Sequence, residues 1–143
     1  MRALVVYESM YGNTHAVADS IAAGLRATHE VTVVPVSQAT RELVADAGLI
    51  VAGGPTHLHR LSTASSRRAA LTAARAENSG LTIDPAAEGP GLRAWLADLG
   101  SLDILAASYD TRLGASPLFT GRASRAIARM LTRHGGRLVV PPE

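Results

Sequence analysis

The strongest constraint on this chain is an alternation. Short, nearly continuous apolar runs are separated by segments with helical spacing. The runs are Leu4-Val5-Val6-Tyr7, Val31-Thr32-Val33-Val34-Pro35-Val36, Gly48-Leu49-Ile50-Val51-Ala52, Leu102-Asp103-Ile104-Leu105-Ala106-Ala107 and Arg137-Leu138-Val139-Val140. Runs this apolar suit strands buried on both faces. Between them, Val17, Ala18, Ile21, Ala22 and Leu25 recur at helical spacing within His15–Leu25. Ser37–Asp46 reads as a loop and a short helix, Thr63–Glu77 is Ala-rich and helix-prone, and Leu92–Leu99 is a short helix. Leu118–His134 is a longer helix closed by Gly135-Gly136. The order βαβαβαβαβ predicts an α/β fold, a parallel sheet with helices on both faces. Right-handed crossovers leave few topologies. The best fit is a doubly wound five-stranded sheet in the order 2-1-3-4-5. Its ligand site then lies beyond the carboxyl ends of strands 1, 3 and 4.

Composition narrows the function. The 143 residues predict one domain over 1–143, and the absence of cysteine excludes disulfides, thiolate metal sites and a cysteine nucleophile. No apolar run reaches the ~18 residues of a membrane span, and the apolar start is too short for a signal peptide, so a cytoplasmic location and no membrane partner are expected. All 14 basic residues are Arg, the net charge is only +2, and aromatics make up 3%. Scattered Arg with few aromatics argues against a nucleic-acid partner.

The strand ends carry the informative residues. After strand 1, Ser9-Met10-Tyr11-Gly12-Asn13-Thr14 runs straight into a helix. A helix N-terminus offers free N–H groups and partial positive charge, so it holds a phosphate without lysine. A plain helix cap by Asn13 or Thr14 uses the same residue types. The loop has neither the P-loop nor the G-x-G-x-x-G pattern. Strand 3 ends in Gly53-Gly54-Pro55-Thr56-His57, without the carboxylate of a phosphoacceptor domain. Strand 4 leads into Ser108-Tyr109-Asp110-Thr111-Arg112. His57 and His59 have a spacing that can bind metal, but two His without a paired acid make a poor site, so no metal is expected. Ser9 shows no base partner, and Glu8 and Asp103 form no acid/base pair, so no catalytic residue is assigned. Trp95 reads as a core anchor, Arg67-Arg68 as surface, and Arg122, Arg125, Arg129 and Arg133 as one exposed helical stripe.

These loops resemble those of the flavodoxin family. Ser9, Gly12 and Thr14 match its phosphate loop, with Tyr11 in place of a hydroxyl residue. Gly53-Gly54-Pro55-Thr56 is similar to the segment after its third strand. The resemblance spans almost the whole chain and implies noncovalent FMN binding and electron transfer. Ser9, Met10, Tyr11, Gly12, Asn13 and Thr14 would hold the phosphate. Pro55, Thr56, His57 and Leu58 would line one side of the isoalloxazine, and Ser108, Tyr109, Asp110 and Thr111 the other. Tyr109 is the one aromatic in that third loop, so one-sided stacking is expected. His57, His59, Arg60 and Arg112 against Asp110 alone predict a positive field at the ring. The redox partner is not named by the sequence. Two alternatives stand beside a carrier: an FMN-dependent oxidoreductase of quinone-reductase or protoporphyrinogen-oxidase type, and a flavin-free interaction module. The resemblance also implies a final helix after strand 5. The expectation is therefore a C-terminally shortened domain with an open face, or a homodimer that fills that face.

Overall fold

The computed structural model describes residues 1–57, 60–112 and 121–143. The elements are β1 (Arg2–Tyr7), α1 (Asn13–Leu25), β2 (Glu30–Pro35), a 3-10 turn (Val36–Gln38) and α2 (Arg41–Asp46). They continue with β3 (Leu49–His57), β4 (Arg60–Leu61), α3 (Ala64–Arg75), α4 (Leu92–Ala97), β5 (Leu105–Thr111), α5 (Ala123–Arg133) and β6 (Arg137–Leu138). The strands pair in the order β2-β1-β3-β5-β6, and β4 turns back antiparallel on β3. All other pairings are parallel. With β4 set aside as a hairpin extension, this is the expected doubly wound order.

Each sheet face has its own core. On one face Leu4, Val6, Ile50, Ala52 and Ala106 meet Leu92 and Leu96 of α4 and Ile127 and Leu131 of α5. On the other, Ala3, Val5, Val51, Ala107 and Tyr109 meet Ala18 and Ala22 of α1. Small residues on α1 let its axis sit close to the sheet, and the wider apolar stripe of Val17, Ile21 and Leu25 packs at the margin. The indole of Trp95 donates to the Ala39 carbonyl at 3.0 Å and so ties α4 to the turn before α2, as an anchor.

Two strand ends differ from the sequence reading. β3 does not stop at Gly53 but continues through Gly54 and Pro55 to His57, where it pairs with β4. β5 begins at Leu105 rather than Leu102 and runs through Ser108, Tyr109 and Asp110 to Thr111. The reason is a fit across the ladder. Gly53 pairs with Tyr109, and a Cβ on Gly53 would fall inside the Tyr109 ring. The ring lies over the bare glycine and extends the strand pair. β6 is the sheet's edge. Beyond it Val139 N–H still donates to Ala106, and Glu143 exchanges backbone bonds with Ser108 and Asp110. Leu138, Val139 and Val140 are 41%, 48% and 48% exposed. The expected helix start at Leu118 lies outside the described residues, and α5 is observed from Ala123.

Candidate functional site

The carboxyl ends of β1, β3 and β5 enclose a groove of about 850 Å³, within the range of small-molecule sites. Ser9, Met10, Tyr11, Asn13 and Thr14 form one end. Pro55, Thr56 and His57 form a second wall, and Asp110, Thr111 and Arg112 a third. Ala16, Val17 and Glu143 complete the lining.

The first loop turns at Gly12, whose φ of 93° only glycine adopts readily. The Gly12 N–H donates to Ser9 Oγ at 3.0 Å, which folds the loop over the strand end. A Cβ on Gly12 would meet nothing within 4 Å, so the space in front of the turn is open. α1 then begins without a side-chain cap and without an acidic residue in its first turn. The other helices differ. Thr40 Oγ1 accepts from the Leu43 N–H at the start of α2, and Thr63 and Ser66 form a reciprocal capping box on α3. Glu8 Oε2 accepts from Leu92 N–H at the start of α4, and Asp110 Oδ2 accepts from Ser124 N–H in α5. Among the described residues only α1 leaves its first-turn N–H groups without a side-chain acceptor. Those groups face the groove together with the hydroxyls of Ser9 and Thr14, a donor set that suits a phosphate.

Long-range contacts hold the loop. Asp84 N–H donates to the Met10 carbonyl at 2.8 Å, and the Tyr11 hydroxyl donates to the Ala70 carbonyl at 2.8 Å. His15 stacks on Tyr7 with ring centroids 4.2 Å apart, and its Nδ1 lies 3.1 Å from Asp84. Burial, with the charges of Asp84 and Asp19, pushes the Tyr7 phenol up from its ordinary value. Thr14 and Thr111 share a hydroxyl hydrogen bond of 2.7 Å, which joins the first and third walls.

Glu8 was not assigned a role from sequence, yet it anchors the loop's root. Its carboxylate is buried, accepts from Leu92 N–H at 2.7 Å and from the Ser62 hydroxyl, and faces Arg67 Nε at 3.4 Å. Arg67 also donates to the Ala87 and Gly89 carbonyls, so it is a partly buried tie rather than a free surface residue. An acid directly after a run of buried residues, Ala3–Tyr7, was the available signal, because a buried carboxylate needs such partners.

The second wall is also fixed. Thr56 Oγ1 accepts from Ala123 N–H at 3.0 Å, and His57 Nδ1 lies 3.1 Å from Ser66 Oγ. Burial holds the His57 imidazole below its ordinary value; Glu8 opposes this and Arg67 reinforces it. Leu58 lies outside the described residues.

The third wall needs correction. Asp110 and Thr111 line the groove, but Ser108 and Tyr109 do not. Ser108 is 3% exposed and its hydroxyl donates to the Ser124 carbonyl at 3.0 Å. Tyr109 is 4% exposed, lies over Gly53, and donates to the Thr14 carbonyl at 3.2 Å. Burial pushes its phenol far up from its ordinary value. It thus supports α1 from beneath instead of facing the groove. Of the residues expected to set a positive field, His59 lies outside the described residues, Arg112 is ion-paired with Asp110, and Glu143 joins the lining.

Known proteins agree with this architecture. The flavodoxin domain family matches residues 4–75. A search of curated proteins returns no match. Among solved structures, oxidised flavodoxin 1 of Bacillus cereus superposes with a TM-score of 0.65 at 17% identity, over 99% of this chain and 81% of that one. Flavodoxin 2 of the same organism gives 0.62 at 22%, over 98% and 80%. A mutant flavodoxin of Fusobacterium nucleatum, solved bound to flavin mononucleotide, gives 0.59 at 12%, over 96% and 67%. With a family match over half its length, an open α1 terminus and the doubly wound strand order, this chain belongs to the flavodoxin family.

Proposed function

We propose that this protein binds FMN noncovalently and carries electrons. The observation that supports this most is the unsatisfied N-terminus of α1, open to the groove while the other helices are capped from within the chain. The N–H groups of Asn13 and Thr14 and the hydroxyls of Ser9 and Thr14 would hold the phosphate. Pro55, Thr56 and His57 would lie along one side of the ring, and Asp110, Thr111 and Arg112 along the other. When bound, the flavin supplies one- and two-electron redox chemistry; the protein sets its position, exposure and electrostatics.

Titration with FMN and riboflavin tests the reading. Thr14→Ala removes a hydroxyl donor to a charged group, about 1.5–3 kcal/mol. FMN affinity should fall by that amount and riboflavin affinity should hardly change. Equal losses for the two flavins, or a protein that takes up neither, would overturn the phosphate assignment. The second outcome would favour the flavin-free module.

A second reading draws on Tyr109. Because its ring is buried under α1, no described aromatic side chain stands on the third wall. That leaves the ring side open to a small substrate, as an FMN-dependent quinone-type oxidoreductase requires. Nicotinamide-driven turnover of a quinone by the flavin-loaded protein separates enzyme from carrier.

A further inference from the structure

The stretch from Glu8 to Leu25 forms the phosphate end of the groove and all of α1, and it holds one basic residue, His15. The side chains that line that end, from Ser9, Met10, Tyr11, Asn13 and Thr14, carry no cation. His15 lies in the first turn of α1, the turn whose N–H groups face the groove, but its ring does not line the groove. Among the described residues three aromatic or charged groups meet that ring. Tyr7, at the end of β1, stacks on it with centroids 4.2 Å apart and planes at 15°. Asp84 Oδ2, from the segment between α3 and α4, lies 3.1 Å from Nδ1, and Asp19 Oδ2, one turn along α1, lies 3.7 Å from Nε2. An aromatic face and two carboxylates are partners for an imidazolium. At the positive pole of α1 a bare cation is unfavourable, and these three groups offset that cost.

Asp84 is the unusual partner. Between α3 and α4 the chain has no helix or strand, yet this carboxylate is only 3% exposed. Its Oδ1 accepts from Ala86 N–H at 2.8 Å and its Oδ2 meets His15. Its own N–H donates to the Met10 carbonyl at 2.8 Å. One residue therefore holds the middle of the phosphate loop through its backbone and the helix turn behind that loop through its side chain. The backbone bond alone would fix the loop. A buried carboxylate is costly without charged or hydrogen-bonding partners, and the charged partner of Asp84 is His15.

We infer that His15 sets the charge at the phosphate end of the groove, with Asp84 as the positioning residue that holds it there. This rests on the FMN reading and names what makes that end favour an anion. The two carboxylates offset part of the imidazolium's field. What the phosphate senses is the difference of one charge between the two protonation states of the ring. That difference acts across a helix turn rather than through bulk water, so salt screens it only in part. A phosphate in the groove favours the protonated ring, and by linkage the protonated ring favours the phosphate. His15 therefore strengthens FMN binding at low pH, and the contribution is lost as the ring gives up its proton. Riboflavin, which has no phosphate, gains nothing from it.

Three proteins separate this from a purely structural role: the wild type, the neutral His15→Gln and His15→Arg, a permanent cation. FMN and riboflavin are titrated into each flavin-free full chain between pH 5 and 8.5. The phosphate and His57 titrate alike in all three and cancel in the ratios. Wild-type FMN affinity should match the Arg variant at the acid end and the Gln variant at the alkaline end, a gap of roughly three- to tenfold. Riboflavin should bind the three alike at every pH, which also shows that each is folded. Asp84→Asn keeps the backbone bond to Met10 and removes the charge, so it should move the wild-type crossover to lower pH. FMN binding no tighter than riboflavin binding in the wild type would overturn the phosphate reading and this inference with it. Tighter FMN binding with a wild-type-to-Gln ratio constant across pH would overturn the role of His15 alone, and an unmoved crossover in Asp84→Asn the role of Asp84.

Discussion

Two glycines at two strand ends meet opposite demands. Gly12, after β1, needs its backbone freedom: φ is 93°, and the space where a Cβ would stand is empty. Gly53, within β3, has an ordinary strand conformation, and the space where its Cβ would stand is filled by Tyr109. The first glycine shapes a loop that leaves donors open for a ligand. The second makes room for a ring that closes the sheet beneath that loop. One residue type thus serves recognition at one end of the site and packing at the other.

The sharpest way to break the comparison is a methyl group at Gly53. Gly53→Ala must displace the Tyr109 ring, and overpacking of this kind costs about 1–3 kcal/mol or somewhat more. It should also loosen α1, because Tyr109 would lose its bond to the Thr14 carbonyl. Urea unfolding measures the cost. In a Tyr109→Ala background the same substitution should be far cheaper, and an additive double-mutant cycle would show that the two residues do not compete for one space.

Gly12→Ala should be milder. The methyl group meets nothing, so the penalty is the left-handed backbone alone, about 1–2 kcal/mol. Asn tolerates that conformation better than Ala. Gly12→Asn should therefore recover part of the loss, whereas Gly53→Asn should be worse than Gly53→Ala. If both sites ranked Ala and Asn alike, the distinction between conformational and steric need would fail.

The same contrast explains what could be read from the residues. The strand order and the first loop were legible because their signals are local. Apolar runs mark the strands, and Ser9, Gly12 and Thr14 sit next to the helix they open. Five of that loop's six expected residues line the groove, and Gly12 forms its turn. The end of β5 was not legible. Whether Ser108 and Tyr109 lie in a loop or a strand depends on Gly53, more than fifty residues away, and a single sequence does not show that pairing. Glu8 is similar, because its partners Ser62, Arg67 and Leu92 come together only in the folded sheet.

The smallest expected effect concerns charge rather than space. The first wall presents a hydroxyl-rich cradle, while the second presents His57, whose imidazole burial holds below its ordinary value. A histidine less basic in the folded state binds fewer protons there than in the unfolded chain. Stability is therefore intact above the unfolded value, about 6.5, and is lost as pH falls from there toward the lower folded value. His57→Gln removes this contribution and leaves the other histidines in place. Stability measured by urea unfolding between pH 8 and 5 should fall less steeply in the variant. The difference should persist in added salt, because the first cause is burial, which salt does not screen. Parallel profiles for the two proteins would mean that His57 is hydrated like a surface residue, and the second wall would then be as open as the first.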